Sequence, residues 1–191
     1  RAARYRLNHV VTKASDKAGQ WTIDGTKSLV AAGDEADAFI VPARISGADD
    51  ASEGIALFLV EKAAQGVAVR AYPTQDGSRA AEVELTGAPA SLISKDGFAT
   101  LEHAVDAGIA AVCAEAVGVM EKMVEITVEY MNTRKQFGVA IASFQALRHR
   151  MADVKMQLEL GRSMSYFASL KMGEEAPARR RAIAQAKYQI C

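Results

Sequence analysis

The sequence predicts an α+β fold in which an antiparallel β-barrel or sandwich precedes part of an up-and-down helical bundle. Two observations predict this. Up to about residue 93, short apolar runs alternate with glycine-containing turns, and from Gly97 onward apolar residues recur every three or four positions. We therefore expect a β-domain over residues 1–95 and a helical domain over residues 96–191. Both are expected to be incomplete, because the chain begins in structured-looking sequence and stops in a helical pattern without a capping signal.

Five short segments predict the strands of the β-domain. The first, residues 21–27, places Asp24-Gly25, a favoured hairpin turn, between β-type flanks. The other four are apolar or alternating runs bounded by turn residues, at positions 38–41, 55–60, 67–69 and 81–85. Short strands at this spacing are typical of a barrel or a sandwich.

One long amphipathic helix opens the second half. Its apolar stripe consists of Leu101, Val105, Ile109, Val112, Ala116, Val119, Met123, Ile126 and Tyr130. About 34 residues would extend roughly 50 Å, so such a helix needs packing partners along its length. The pattern breaks over residues 133–142. A second helix is expected from an N-cap at Ser143 to Gly173, and Pro177 is expected to open a third.

Composition and charge narrow the possible functions. Lys+Arg and Asp+Glu both number 23, so nothing favours nucleic acid or an anionic membrane. Cys113 and Cys191 are far apart and the three histidines are isolated, so we expect no metal site. No apolar run approaching the roughly 20 residues of a membrane span and no signal peptide are visible, which favours a reducing, cytoplasmic setting.

The segment between the two long helices carries the most specific pattern. Residues 132–145 read NTRKQFGVAIASFQ. From the residues alone, Arg134 could cap the preceding helix and Gln145 could be a surface residue of the next one. Phe137 and Phe144 could staple the turn.

This segment is similar to the RKxFGxxIxxFQ stretch that joins two long helices in acyl-CoA dehydrogenases. The resemblance extends over nearly the whole chain, including WTIDGTK at 21–27, IALFLVE at 55–61 and AEAVG at 114–118. It implies an FAD-dependent enzyme that removes the α-proton of an acyl-CoA thioester with a carboxylate base and passes the β-hydride to flavin N5. The product is a 2-enoyl-CoA, as in fatty-acid β-oxidation, and an electron-transfer flavoprotein accepts the electrons. The resemblance also implies a homo- or hetero-oligomer.

The resemblance also implies cofactor contacts. Arg134 would contact the pyrophosphate of an FAD bound mainly by a neighbouring subunit, since a guanidinium fork matches phosphate oxygens. Phe137 and Gln145 would lie against the ADP half of that FAD. Leu29 and Ala31 stand on the strand that packs on the flavin, where many relatives carry Trp-Ile-Thr or Trp-Ile-Ser.

Several positions depart from the family pattern. Ala31 has no side-chain hydrogen-bonding group and Leu29 has no aromatic face. In the segment that begins at Asp106, Ile109 replaces an arginine that lies near the substrate in relatives, and Gly108 stands where some relatives carry the catalytic glutamate. We therefore expect no catalytic base in this chain. Asp106 is the nearest carboxylate to the substrate region and a candidate for substrate binding, with a solvated or helix-bonded side chain as the alternative.

These departures resemble the small subunits of heteromeric acyl-CoA dehydrogenases, such as the pimeloyl-CoA dehydrogenase small subunit. Three hypotheses remain open from the sequence. The chain belongs to an active flavoenzyme subunit, or to an inactive subunit that completes its partner's FAD site through Arg134, or to an acyl-CoA oxidase or flavin monooxygenase of related fold.

Overall fold

A computed structural model describes residues 5–191 and divides the chain into two compact units, Arg1–Glu102 and His103–Cys191. The described part of the first unit contains six strands and the first turns of the long helix. The second contains the remainder of that helix and two further helices.

Over residues 5–102, six strands build the first unit, and five of them close into a barrel. The strands are β1 (Lys13–Lys17), β2 (Gln20–Ala31), β3 (Ala38–Arg44), β4 (Ile55–Glu61), β5 (Val67–Pro73) and β6 (Arg79–Ser94). Their order is β2-β1-β3-β4-β6-β5, and β2 also pairs with β6, so β1, β2, β6, β4 and β3 form a ring to which β5 is added. All pairings are antiparallel except β1 with β3. The predicted antiparallel barrel is confirmed.

Inward-facing apolar side chains fill the barrel. Ile23, Phe58 and Val60 are completely buried, and the ring of Trp21 packs on Phe58 with centroids 5.2 Å apart. Burying each side chain of this size contributes about 1.5–3 kcal/mol. The period-two alternation of the sequence is the pattern of this interior, because successive residues of a strand point to opposite faces.

The guanidinium of Arg44 holds the loops at one end of β3. Arg44 is 4 % exposed and has only backbone carbonyls as acceptors. Its Nε donates to Val10 O at 3.0 Å and its Nη1 to Glu53 O at 2.9 Å. The remaining donor, Nη2, reaches the carbonyls of Asn8, Asp49 and Ala51 at 2.9–3.1 Å. One buried charge thus fixes two loops that have no regular structure.

The predicted hairpin turn at Asp24-Gly25 is wrong. Both residues lie inside β2, at an irregularity where the pairing with β6 shifts register. Gly25 has φ 146° and lies so close to Thr12 that a Cβ would come within 2.9 Å of its Cα. The hairpin turn between β1 and β2 is instead formed by Ala18 and Gly19, both with positive φ. Asp-Gly supplies the backbone freedom of a turn, but here that freedom allows a close approach between chain segments.

Three α-helices follow the barrel: α1 (Gly97–Thr133), α2 (Gln145–Leu170) and α3 (Ala176–Ile190). Pro177 lies in the first turn of α3, as predicted. The prediction of Ser143 as N-cap is wrong, because Ile141–Ser143 forms a separate 3-10 turn and Phe144 occupies the cap position. The Ser143 hydroxyl donates to Ala140 O at 2.7 Å within that turn. The second helix also ends at Leu170 rather than at Gly173.

Small residues form the core of the second unit, while much of the predicted apolar stripe on α1 is uncovered. The buried cluster contains Ala110, Cys113, Ala168, Ile183 and Ala186. Burial raises the pKa of the Cys113 thiol, as expected for an inert core cysteine. By contrast, large side chains at 112, 119, 123, 126 and 130 are more than half exposed within this structure.

Helix α1 is unusually long and apolar. An 18-residue stretch of Gly97–Thr133 reaches a mean hydropathy of 1.4, so α1 is long and apolar enough to cross a membrane. The expectation that no segment approaches the length and apolarity of a membrane span is therefore wrong for α1. Core helices satisfy the same criterion, and one such helix is weak evidence for a membrane span.

Candidate functional site

The segment between α1 and α2 forms a small hairpin tip. Two-residue strands, β7 (Lys135–Gln136) and β8 (Val139–Ala140), pair antiparallel around Phe137 and Gly138. These two residues have φ 56° and 81°, as the central positions of a type I′ turn require. Sequence periodicity predicted only a break here, because two-residue strands carry no periodic signal.

The side chain of Arg134 is free at the base of this tip. Its backbone is fixed, since its N–H donates to Tyr130 O at 2.8 Å and its carbonyl accepts from Ile141 N–H at 2.9 Å. Its side chain is exposed and, within residues 5–191, takes part in no hydrogen bond or ion pair. The guanidinium therefore does not cap α1, and it is available to a ligand.

Phe137 projects from the same tip. Its ring is 91 % exposed and makes an edge contact with Phe144, with centroids 6.1 Å apart. The two rings that the sequence allowed as staples of the turn are thus in contact. A bulky residue with positive φ is strained by about 1–3 kcal/mol, and here that strain presents an aromatic ring to the surface.

Gln145 begins α2 beside this tip and is also exposed. The structure thus brings together, in one surface segment, a free guanidinium, an exposed ring and an exposed amide. A forked donor next to an aromatic face suits a diphosphate attached to a nucleoside. The residues that resemblance assigns to the ADP half of FAD fit that group chemically.

Leu29 and Ala31 lie on the surface of the barrel unit. The pairing of β2 with β6 slips between Lys27 and Val30, and Leu29 sits in this bulge with φ 58° and 71 % exposure. Bulges of this kind re-aim a side chain. Ala31 is also exposed. These two positions offer a cofactor apolar contact but no side-chain hydrogen bond.

Asp106 is buried in an ion pair that the sequence did not predict. Its Oδ2 accepts from Arg179 Nε at 2.8 Å, and both side chains are 9 % exposed. A solvated Asp106 is therefore wrong, while its contact with a substrate stays a prediction. Arg179 belongs to a run of three arginines in the first turns of α3, and its partner depends on helix packing that spacing alone does not reveal.

Lys27 is a second residue that sequence reasoning missed. It occupies an inward position on β2, and its Nζ donates to Pro42 O at 2.7 Å. Burial lowers the pKa of its ammonium group to about 8.

Among residues 5–191, no group of three or more His, Cys, Asp or Glu side chains is placed to hold a metal ion.

Comparison with known proteins identifies the family. Residues 95–191 match the acyl-CoA dehydrogenase C-terminal domain, and residues 2–87 match the acyl-CoA dehydrogenase middle domain. The chain belongs to the acyl-CoA dehydrogenase family, whose members are FAD-dependent oxidoreductases.

Curated relatives agree with this assignment over part of their length. A short-chain specific acyl-CoA dehydrogenase of Megasphaera elsdenii is 29 % identical over 176 residues, covering 88 % of this chain and 45 % of the relative. An acyl-CoA dehydrogenase of Bacillus subtilis is 31 % identical over 179 residues, covering 86 % of this chain and 47 % of the relative. The chain thus spans about half the length of these relatives.

Solved structures show the same fold. An FAD-dependent dehydrogenase superposes with a TM-score of 0.84 at 26 % identity, over 96 % of this chain and 51 % of the other. The ChsE4-ChsE5 complex from Mycobacterium tuberculosis gives a TM-score of 0.78 at 30 % identity, over 93 % of this chain and 47 % of the other.

Proposed function

We propose that this chain forms part of a subunit of an FAD-dependent acyl-CoA dehydrogenase, which oxidises an acyl-CoA thioester to a 2-enoyl-CoA. An electron-transfer flavoprotein would receive the electrons. The observation that carries the proposal is the free guanidinium of Arg134 on an exposed hairpin tip beside Phe137. Family membership supports it, since it makes FAD the expected ligand of that tip.

The residues of the tip have binding roles in this proposal. Arg134 holds the diphosphate of an FAD bound mainly by a neighbouring subunit, using paired hydrogen bonds from its fork. Phe137 and Gln145 contact the ADP half. FAD, when bound, supplies the hydride acceptor, and the protein supplies position and electrostatics.

The base that removes the α-proton is not assigned to this chain. Asp106, the nearest carboxylate to the substrate region by resemblance, is already paired with Arg179. A carboxylate held by a buried arginine is poorly placed to accept a proton from carbon, because protonation would leave the guanidinium without its counter-ion. Gly108, where some relatives have a glutamate, has no side chain. The resemblance implies that the base lies on residues outside these 191.

FAD titration of the full-length assembly tests the role of Arg134. Arg134→Ala removes a charge-assisted contact worth about 1.5–3 kcal/mol, so FAD affinity should fall roughly ten- to hundredfold. Arg134→Lys should recover only part of the loss, because an ammonium keeps the charge but lacks the fork. Lys135→Ala is the matched control, since it removes an exposed positive charge from the same tip.

The three variants distinguish a specific contact from general electrostatics. A specific contact predicts a large loss in Arg134→Ala and a small one in Lys135→Ala. Equal losses of FAD affinity in both variants would mean that Arg134 acts only through its positive charge, without a specific contact. Unchanged affinity in Arg134→Ala, with a normal oligomer, would refute the proposed contact.

A second candidate is a subunit whose own flavin site is inactive and which completes the site of a different partner chain. Leu29 and Ala31 favour it, because neither provides the hydrogen bond or aromatic face that many relatives place there. Ile109, in place of an arginine, favours it as well. This role resembles that of the small subunit of a heteromeric acyl-CoA dehydrogenase. The solved ChsE4-ChsE5 complex, which contains a chain of this fold, supports it.

Flavin stoichiometry separates the two candidates. An active subunit should bind one FAD when purified alone and form its own oligomer. An inactive subunit should be colourless alone, and Arg134→Ala in it should lower the turnover of the mixed complex. One tightly held FAD for each isolated subunit would exclude the second candidate.

A further inference from the structure

A cavity of about 350 Å³ lies between strands β2, β3 and β6 of the barrel unit. Its walls are apolar and include Val30, Ala36, Phe39 and Val83. The one exception among the lining residues is Lys27, whose side chain reaches into this apolar surrounding from β2. A half-buried amine among apolar walls is an unusual combination, since lysine side chains mostly lie exposed in water.

The ammonium group of Lys27 is poorly compensated. It has three donors, of which one is satisfied by Pro42 O at 2.7 Å. Among the described residues it forms no ion pair, and burial is the cause of its lowered pKa of about 8. About half of these amines are therefore neutral near pH 8, compared with about one in 250 for an exposed lysine.

We propose that Lys27 is a site of covalent N-acylation by small acyl thioesters, with the acyl group entering the apolar cavity. The neutral nitrogen attacks the thioester carbonyl carbon, the new C–N bond forms and the C–S bond breaks. The thiolate leaves and takes up the proton that the nitrogen loses, so the step needs no further reactant. The proposal shares the acyl-thioester class of ligand with the proposed function, but it does not require dehydrogenation.

The site suits the product better than it suits the free ammonium. An amide nitrogen has one N–H, which matches the single acceptor at Pro42. Acylation also removes a half-buried charge that has no counter-ion, which is costly beside apolar walls. The cavity is many times the roughly 30 Å³ that one water occupies in the liquid, so a short acyl chain has room beside Phe39 and Val83.

Acetyl-CoA is the probe, because an acetyl group has no β-carbon and cannot be dehydrogenated. The full-length protein is incubated with acetyl-CoA near pH 8, and initial acetylation rates are read by peptide mass spectrometry. Lys13 and Lys17, exposed on β1, serve as internal references. Near pH 8 the neutral fraction of Lys27 is about a hundredfold larger than that of an exposed lysine. A less basic amine is also a weaker nucleophile, which reduces this advantage. We therefore expect Lys27 to be acetylated about tenfold faster than Lys13 and Lys17. In urea-unfolded protein the three rates should become equal.

A cavity-filling variant tests the role of the apolar walls. Ala36→Leu places a larger side chain in the cavity and should lower Lys27 acetylation at least about fivefold, while Lys13 keeps its rate. Native Lys27 reacting no faster than Lys13 would overturn the proposal, and so would an unchanged Lys27 rate in Ala36→Leu. Neither result bears on FAD binding by Arg134, so failure here is distinguishable from failure of the dehydrogenase assignment.

Discussion

The buried pair of Asp106 and Arg179 should dominate the stability of the helical unit. The side chains lie 2.8 Å apart and are each 9 % exposed. Removing one partner leaves the other charge buried and uncompensated, which typically costs about 3–5 kcal/mol. A domain has only about 5–15 kcal/mol of stability in total, so Arg179→Met should remove a large part of it.

Replacing both members should largely restore stability. In Asp106→Leu/Arg179→Met no buried charge remains, and apolar substitution of a buried pair is often neutral or stabilising. The double variant should therefore be much more stable than the sum of the two single changes predicts. Arg181→Met is the matched control, because Arg181 is exposed on the same helix.

Two spectroscopic signals report the two units separately. Far-UV circular dichroism during urea unfolding is dominated by the helices. Fluorescence of Trp21, the single tryptophan of the sequence, reports the barrel. Arg179→Met should shift the helical transition and leave the Trp21 transition in place. Two results would refute this reasoning. One is that Arg179→Met lowers the free energy of unfolding by less than about 1 kcal/mol, the value of a surface ion pair. The other is that the double variant loses the sum of the two single losses.

Two further predictions concern the barrel unit and use Trp21 fluorescence. Arg44→Met removes the guanidinium donors from the buried carbonyl of Val10 and the half-buried carbonyls of Asn8 and Glu53. Each unsatisfied group that cannot reach water costs about 1–3 kcal/mol, so the barrel transition should move to lower urea; an unchanged midpoint would contradict the role of Arg44. Lys27→Met should stabilise the barrel by up to about 3 kcal/mol at neutral pH. The folded-state pKa of Lys27 is lowered from 10.5 to about 8, so the unfolded chain binds the extra proton between these values and wild-type stability rises with pH across that window. The advantage of Lys27→Met should therefore be complete below pH 8 and lost by about pH 10.5, and a constant difference would contradict it.

Periodicity predicted the elements of the fold better than it predicted their connections. Apolar or alternating runs bounded by turn residues located five of the six strands of the barrel unit, because strands that face a core carry apolar side chains toward it. It missed β1, whose residues are almost all exposed, and with it the Ala18-Gly19 turn. Closure of the barrel depends on the long-range pairing of β2 with β6, which no local pattern encodes. Pro177 marked a helix start correctly, because proline is pre-organised for the first turn.

The residues of the candidate site likewise divide into those that a local pattern predicts and those that depend on long-range contacts. Arg134, Phe137 and Gln145 were identified because a specific local motif contains all three. Arg179 and Lys27 were not, because their importance comes from burial and from partners on other elements. A charged residue in an α-helix or a strand is ordinary in sequence. Only packing shows that it has been withdrawn from water.

Backbone strain marks the proposed cofactor positions independently of family resemblance. Among the described residues, four other than glycine have positive φ: Ala18, Leu29, Ala32 and Phe137. Two of these are large, and both are mostly exposed, Leu29 at 71 % and Phe137 at 91 %. Each costs about 1–3 kcal/mol in strain, and each exposes an apolar side chain that this chain does not cover. Strain that places an apolar group in water stabilises nothing within the chain, so it is best explained by a ligand or subunit that covers the group. Leu29 and Phe137 are also the positions that resemblance assigns to the flavin and to the ADP half of FAD, and the two lines of argument therefore support each other.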